Sequence, residues 1–281
     1  MKIAYFPKQT ALQSEPVWSA FLNGMKPHGW TPVENSLDAD AAVIWSVLWK
    51  GRMLANKQVY DHYRQQGKPV FIIEVGTLKR GVTWKVSLNN ITNDGIYPTL
   101  DIDPGRPDKL GLSLAPIRQS RRPTILIATQ HSQSLQWEGM PSVEQWLTNT
   151  IQSIRLHTDR DIVVRSHPRA PVQLLTSYKS VTFEQPIKIP NTYDVYDIDF
   201  NHHCVINYCS GPSIQAPIAG TPVICGSRSL AYPVSTSMNS IDTPKLPDRE
   251  EWFVNLCHTE WTIDEIDSGI PQKNLLLNLT L

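Results

Sequence analysis

The apolar residues of this chain fall into short continuous runs that alternate with segments of helical periodicity. Residues 14–29, for example, place Val17, Phe21 and Met25 four positions apart, which is the spacing of one helix face. Strands that are buried on both faces have continuous apolar sequences, and they are typical of parallel sheets with helices on both sides. We therefore expect an α/β fold, whose first half has strands near residues 3–6, 41–47 and 70–75.

The alternation is interrupted once and then continues. Residues 101–123 contain four prolines and several arginines, a composition typical of a linker. Beyond it, Ser142 with Gln145 and Thr262 with Glu265 have the spacing of capping boxes and predict two helix starts. The strands that we expect in this second half are near residues 124–129, 161–165, 204–208 and 222–225.

Length and composition agree with two folded domains. The chain has 281 residues, 41% of them hydrophobic and 19% charged, so it is too apolar to be disordered and long enough for two cores. The simplest architecture is an α/β domain over residues 1–115 and a second over residues 116–281, facing a cleft.

The overall charge balance excludes a polybasic nucleic-acid or membrane-surface protein, because 26 Lys plus Arg meet 26 Asp plus Glu. Along the sequence the balance is uneven. Residues 1–120 hold 14 basic against 10 acidic residues, and residues 121–281 hold 12 against 16. Two interpretations remain open: a chance division of a neutral chain, or an anionic partner that binds the first half.

Several features favour a cytoplasmic protein. The chain has four cysteines, and none has the C-x-x-C spacing. Cysteines this sparse are typical of buried free thiols in a reducing compartment. The short apolar run at the N-terminus reads as a first strand and not as a signal peptide. No run approaches the roughly 18 apolar residues of a membrane helix, so we expect no membrane partner.

Residues 205–225, VINYCSGPSIQAPIAGTPVIC, contain the most informative turn. Ser210 and Gly211 stand where a strand passes into a short helix, and Ser213 lies in its first turn. Such a turn presents backbone N–H groups and the positive end of a helix dipole, which suit a phosphate. The alternative is an ordinary strand–turn–helix connection with a polar cap.

Two further strand ends carry polar residues. VRSHPR at 164–169 places Arg165 and His167 after one strand, and ATQHSQSLQWEG at 128–139 places Gln130 and His131 after another. An arginine offers a planar pair of donors to phosphate oxygens. The alternatives are a structural histidine in the first segment and a solvated loop in the second.

Together these three segments resemble the C-terminal half of GT-B glycosyltransferases, most closely the capsule-polysaccharide and glycerophosphotransferase-like members. Those proteins have Arg/Lys-x-His-Pro at a strand end, and a Ser-Gly or Ser-Ser helix start followed by Ala-Gly-x-Pro-Val. The matching residues here are Arg165, His167, Pro168, Ser210, Gly211, Ala219, Gly220, Pro222 and Val223. Gln215 stands where such families commonly have an acidic residue for the donor ribose, and Pro217 interrupts the helix. Residues 139–146 and 248–269 are similar to small phage-encoded glycosyltransferases.

The resemblance implies two Rossmann-like domains facing a cleft, with a nucleotide-sugar donor on the second domain and the acceptor on the first. It implies no obligatory metal or cofactor, the nucleotide sugar being a co-substrate, because backbone, Arg and His groups neutralise the diphosphate. The donor-binding residues that we expect are Gln130, His131, Arg165, His167, Ser210, Gly211, Ser213 and Gln215.

The catalytic base should then come from the first domain. Glu74, at the end of the apolar run VFIIEVG, is the candidate, since a carboxylate there can take a proton from an acceptor hydroxyl. Lys79 and Arg80 follow it and would hold an acceptor phosphate. The alternatives are a turn-capping role for Glu74 and a solvated loop for the two basic residues.

The function that we expect is transfer of a sugar, from a UDP-sugar, to a 5-hydroxymethylpyrimidine in phage DNA, in the host cytoplasm. The alternatives are transfer to a polysaccharide or surface glycan, and a non-catalytic nucleotide-binding module. A metal site at 202–204 is disfavoured, because adjacent residues of a strand point to opposite faces.

Overall fold

The structure is a computed structural model that describes residues 1–11, 13–99, 101–118, 121–173 and 177–277. It divides into two compact units. Unit 1 comprises Met1–Arg106, Gln133–Leu135 and Val254–Leu281. Unit 2 comprises Pro107–Ser132 and Gln136–Phe253. The boundary after residue 106 lies within the predicted linker.

Strands and helices alternate through most of the described chain. The strands are β1 (Lys2–Tyr5), β2 (Thr31–Glu34), β3 (Ala41–Trp45), β4 (Val70–Val75), β5 (Thr83–Leu88), β6 (Ile125–Ala128), β7 (Ile162–Arg165), β8 (Val181–Glu184), β9 (Cys204–Asn207), β10 (Val223–Cys225) and β11 (Glu260–Thr262). The helices are α1 (Glu15–Met25), α2 (Leu54–Gln65), α3 (Arg106–Lys109), α4 (Val143–Arg155), α5 (Gly211–Ile218), α6 (Glu250–Cys257), α7 (Ile263–Asp267) and α8 (Ile270–Leu277).

Unit 1 contains a six-stranded sheet in the order β11-β5-β4-β3-β1-β2. Strands β2, β1, β3 and β4 are parallel, whereas β5 runs antiparallel to β4 and β11 antiparallel to β5. Every residue of β3 is buried, because its two faces belong to two different cores: Val43 packs with Phe71 on one face, and Ile44 packs with Ile72 on the other. This arrangement confirms the α/β interpretation of the apolar runs.

Unit 2 contains a five-stranded parallel sheet in the order β10-β9-β6-β7-β8. In chain order within the unit this is 5-4-1-2-3, which is the strand order of a Rossmann sheet. The order reverses between β6 and β9, so these neighbours form the topological switch point. Helix α4 covers one face with an apolar stripe that includes Leu147, Ile151 and Ile154.

The last segment of the chain packs on unit 1, although the sequence-based boundary assigned residues 116–281 to the second domain. Strand β11 adds to the edge of the first sheet beside β5. Arg106 is 5% exposed; its guanidinium donates to the carbonyl oxygens of Cys257 and Glu260 at 2.6 Å each and lies 4.0 Å from the Trp261 ring centroid. The apolar partners of Trp261 and Ile266 are in the core of unit 1, which is why the segment belongs there.

This assignment changes the charge balance. With residues grouped as they fold, unit 1 has 13 Lys plus Arg and 13 Asp plus Glu, and unit 2 has the same numbers. The excess of basic residues in the first 120 positions is offset by acidic residues of the C-terminal segment. The uneven charge along the sequence therefore does not make either unit cationic.

Among the residues that the structure describes, no helix combines the length and the apolar character needed to cross a bilayer.

Candidate functional site

The three polar segments of unit 2 follow β6, β7 and β9, which are adjacent in the sheet. Backbone and side-chain hydrogen bonds join their ends. Thr129 donates its N–H to the Arg165 carbonyl at 3.0 Å, and its Oγ1 accepts from the His167 N–H at 3.0 Å. Ligands of open α/β sheets bind beyond the carboxyl ends of the strands at the switch point. The structure thus brings Gln130, His131, His167 and Ser210 to the place where a ligand site is expected.

Helix α5 begins at this edge with Ser210 as its N-cap. Ser210 donates its N–H to Asn207 Oδ1 at 2.8 Å, and its Oγ lies 2.9 Å from Asn207 Nδ2. The first turn of a helix leaves backbone N–H groups without intrahelical acceptors, and Pro212 has none to offer. Gly211 is half-buried at the first position of the helix. The Ser213 N–H donates to the Ser210 carbonyl at 3.0 Å, so the turn can bind an anion through the backbone N–H of Gly211.

Asn207 is a residue that the sequence interpretation missed. Its side chain is 1% exposed and donates to the Ala128 carbonyl at 2.8 Å as well as contacting Ser210. It therefore ties the end of β6 to the start of α5. The sequence signal was available, since Asn207 is the polar last residue of an otherwise apolar strand.

Ser213 and Gln130, two of the expected donor-binding residues, make hydrogen bonds within the protein at this turn. Ser213 is fully buried, donates its hydroxyl to the Ser210 carbonyl at 2.7 Å and lies 2.8 Å from Ser229 Oγ. Gln130 accepts from the Cys209 N–H at 2.9 Å. Gln215 is half-buried within α5. These contacts fix the shape of the strand ends.

His131 and His167 form a pair at the ends of β6 and β7. Their rings lie edge to face, with centroids 5.4 Å apart and planes at 83°. His167 Nδ1 accepts from the Arg169 N–H at 3.1 Å. A neutral His167 therefore carries its proton on Nε2, where it is a donor of fixed direction. This geometry suits a phosphate or sugar oxygen.

Arg165 is placed differently from the expectation. Its guanidinium is buried and binds Glu184 Oε1 at 3.0 Å and Asp197 Oδ1 at 2.9 Å. Arg169 forms an ion pair with Asp194. Both guanidinium groups are thus engaged with carboxylates, and Arg165 joins β7 to the last residue of β8 and to the segment that follows β8.

In unit 1, Glu74 lies near the end of β4 and is half-buried. Its Oε2 accepts from Ser46 Oγ at 2.7 Å and from the Val47 N–H at 3.3 Å, while Oε1 accepts from the Val75 N–H at 2.9 Å. Ser46 has a left-handed backbone (φ 63°), which turns the chain back toward the carboxylate. Glu74 therefore caps the turn after β3, and its carboxylate is held in one orientation.

Lys79 and Arg80 lie in the loop between β4 and β5, at the same end of the sheet as Glu74. Lys79 is half-buried and its carbonyl accepts from the N–H groups of Val82 and Thr83 at 2.9 Å each. Arg80 is exposed. The structure thus brings the proposed base and the two basic residues of unit 1 to one sheet end.

The residues at 202–204 are engaged separately. His202 Nδ1 lies 2.8 Å from Thr124 Oγ1, and His203 Nε2 lies 2.8 Å from the Ile241 carbonyl. Burial lowers the pKa of both histidines, which favours their neutral forms. Within the described ranges, no group of three His, Cys, Asp or Glu side chains is arranged to hold a metal ion.

Comparison with known proteins bears on the fold. No protein family and no curated protein matches the sequence. KpsC of Thermosulfurimonas dismutans, a β-Kdo 2,4 transferase, matches 96% of this chain and 98% of its own, with 14% identity and a TM-score of 0.53. The β-Kdo 2,7 transferase of the same KpsC matches 97% of this chain and 99% of its own at 14% identity, with a TM-score of 0.48.

Since the sequence identity is low, the likeness to the β-Kdo 2,4 transferase concerns the fold alone. Together with the strand orders of the two sheets, it confirms the predicted resemblance: the chain has the fold of the GT-B glycosyltransferases, two Rossmann-like domains in one polypeptide.

Proposed function

We propose that this chain is a glycosyltransferase that moves a sugar from a nucleotide-sugar donor, a UDP-sugar in the first instance, to a hydroxyl acceptor. The observation that carries the proposal is the junction of three polar segments at the switch point of unit 2, where the amino end of α5 and His167 lie at the same edge of the sheet. In a chain with the GT-B fold, this arrangement supports the binding of a diphosphate at this edge of the sheet.

The donor half of the mechanism belongs to unit 2. The diphosphate gains negative charge as the bond to the sugar breaks, and the sugar becomes similar to an oxocarbenium ion. The backbone N–H of Gly211, the dipole of α5 and the Nε2–H of His167 stabilise that charge without reorganising. Since these groups supply the donors that the leaving diphosphate needs, the proposal includes no obligatory metal or cofactor.

The acceptor half belongs to unit 1. Glu74 takes the proton of the acceptor hydroxyl as that oxygen attacks the sugar. An ionised carboxylate has about four acceptor positions, so Glu74 can keep its three hydrogen bonds and still receive the proton. Lys79 and Arg80 bind an anionic group of the acceptor.

Two acceptor classes remain, and the charge balance favours a saccharide. Affinity for duplex DNA comes mainly from Lys and Arg that neutralise phosphates, and unit 1 has as many acidic as basic residues. KpsC, one of the solved proteins of similar fold, is a Kdo transferase. A 5-hydroxymethylpyrimidine in phage DNA is the second candidate, and the adjacent Lys79 and Arg80 are the feature that supports it.

The test combines donor and acceptor panels. The protein is incubated with UDP-glucose, UDP-N-acetylglucosamine or nucleotide-activated Kdo, and with oligosaccharides or DNA containing hydroxymethylcytosine or hydroxymethyluracil. Mass spectrometry should detect the mass of one sugar added to one acceptor class. Calorimetric UDP binding without transfer to any acceptor would instead indicate a nucleotide-binding module, and neither binding nor transfer would refute the proposal.

A further inference from the structure

A row of charged residues crosses three strands of the unit 1 sheet. On β5, Lys85 is opposite Glu74 of β4 on one side and opposite Glu260 of β11 on the other. Directly opposed residues of antiparallel strands project from the same face of the sheet. Lys85 is 5% exposed and Glu260 is 1% exposed. The row thus extends from the proposed base on β4 to the C-terminal segment on β11.

The Glu260 carboxylate is the centre around which the loop after β4 is built. Its Oε1 accepts from the Thr77 N–H at 2.6 Å, and its Oε2 accepts from the Leu78 N–H at 3.1 Å and from Thr83 Oγ1 at 2.8 Å. A Cβ added at Gly76 would lie 2.5 Å from Oε2 and 2.2 Å from the Thr83 carbonyl, so only glycine allows this approach.

These contacts are strong for a physical reason. A buried carboxylate is costly unless hydrogen bonds compensate for its lost hydration, and here three donors do so. The loop depends on Glu260 in turn, because the N–H groups of Thr77 and Leu78 have the Glu260 carboxylate, far along the chain, as their acceptor. Arg106, which binds Glu265 and the Glu260 carbonyl, keeps that segment in place.

We propose that Glu260 is a positioning residue, which holds the Gly76–Thr83 loop so that Lys79 and Arg80 can bind the acceptor. This inference rests on the proposed function, because it assigns the two basic residues to the acceptor. The conformation of the loop depends on a carboxylate of the C-terminal segment and not on the sequence of the loop alone.

The test is Glu260→Gln, which preserves the volume and removes the charge. Whichever way the amide is turned, the N–H of Thr77 or of Leu78 faces a second donor. Hydrogen–deuterium exchange at these two amides should become about tenfold faster, since a charge-assisted hydrogen bond is lost. In the kinetic assay, the acceptor KM should rise about tenfold while the donor KM stays unchanged.

Asp264→Asn is the matched control, since it removes one carboxylate charge from an exposed position of the same segment. This variant should leave exchange in the loop and the acceptor KM close to wild type. The proposal is overturned if Glu260→Gln leaves loop exchange unchanged, or if both variants speed exchange equally over the whole C-terminal segment. If the wild-type protein transfers no sugar, the proposed function fails, and loop exchange in the same samples still decides whether Glu260 holds the loop.

Discussion

At the scale of single residues, side chains of similar type at the strand ends have different surroundings. Arg165 is paired with two carboxylates, whereas His167 is half-buried with its Nδ1 fixed by a backbone donor. Glu74 caps the turn after β3, and its three hydrogen bonds still leave the carboxylate able to accept a proton. The variants below separate these roles.

We expect Glu74→Gln to lower kcat by about 100-fold or more, because general-base catalysis contributes at least that much. Donor affinity should remain at the wild-type value, since Glu74 belongs to unit 1. Steady-state kinetics and UDP calorimetry measure the two quantities. Asp61→Asn, on an exposed helix position of the same unit, is the control and should retain activity. An active Glu74→Gln enzyme would limit Glu74 to capping the turn after β3.

We expect His167→Ala to weaken UDP binding about tenfold, the cost of losing one hydrogen bond to a charged group. Isothermal calorimetry measures this directly. The exposed His157, replaced by alanine, serves as the comparison and should bind UDP normally. Unchanged affinity in His167→Ala would remove this residue from the donor site.

At the scale of elements, the apolar strands and the caps follow local sequence, whereas strands in which polar residues interrupt the apolar run do not. The predicted helix starts at Ser142 and Thr262 are confirmed, since Ser142 Oγ accepts from the Gln145 N–H and Thr262 forms a full capping box with Glu265. Strand β5, TWKVSL, was not identified, because Lys85 and Ser87 interrupt its apolar sequence although both are buried in the structure. Helix α5 ends one residue after Pro217, as expected for a proline inside a helix.

The junction of β6, β9 and α5 depends on Asn207. Replacing it with alanine leaves the Ala128 carbonyl and the Ser210 N–H without their partner, and should lower the free energy of unfolding by about 2 kcal/mol. UDP binding should weaken as well, because the start of α5 loses its support. Chemical denaturation and calorimetry measure these effects, with Asn149→Ala on the exposed face of α4 as the control. A stable Asn207→Ala protein with normal UDP affinity would contradict this role.

At the scale of the whole molecule, burial of histidines links folding to pH. Burial is the main cause of the lowered pKa of His202, His203 and His258. His258 Nε2 also accepts from the Asp103 N–H at 3.0 Å, which a protonated ring cannot do. The folded state therefore favours three neutral rings.

The resulting pH dependence has a definite sign. Below the ordinary histidine pKa of 6.5, the unfolded chain binds protons that the folded chain excludes. The free energy of unfolding should therefore fall as the pH is lowered from 7 towards 5, as measured by urea denaturation at a series of pH values. His258→Gln should flatten this dependence, and His157→Gln should not. A flat profile in the wild-type protein would show that these rings exert no such linkage.

The sequence by itself determined the α/β class, the strand ends at which polar residues cluster and the glycine- and serine-rich turn at 210–211, because each depends on neighbours within a few positions. Only the tertiary structure decided that the C-terminal segment completes the first sheet, that Arg165 is paired with Glu184 and Asp197, and that Glu260 shapes a loop far away in the chain. The physical reason is that the energy of a buried charge depends on partners brought together by the whole fold, whereas the apolar periodicity of a strand or helix depends only on consecutive residues.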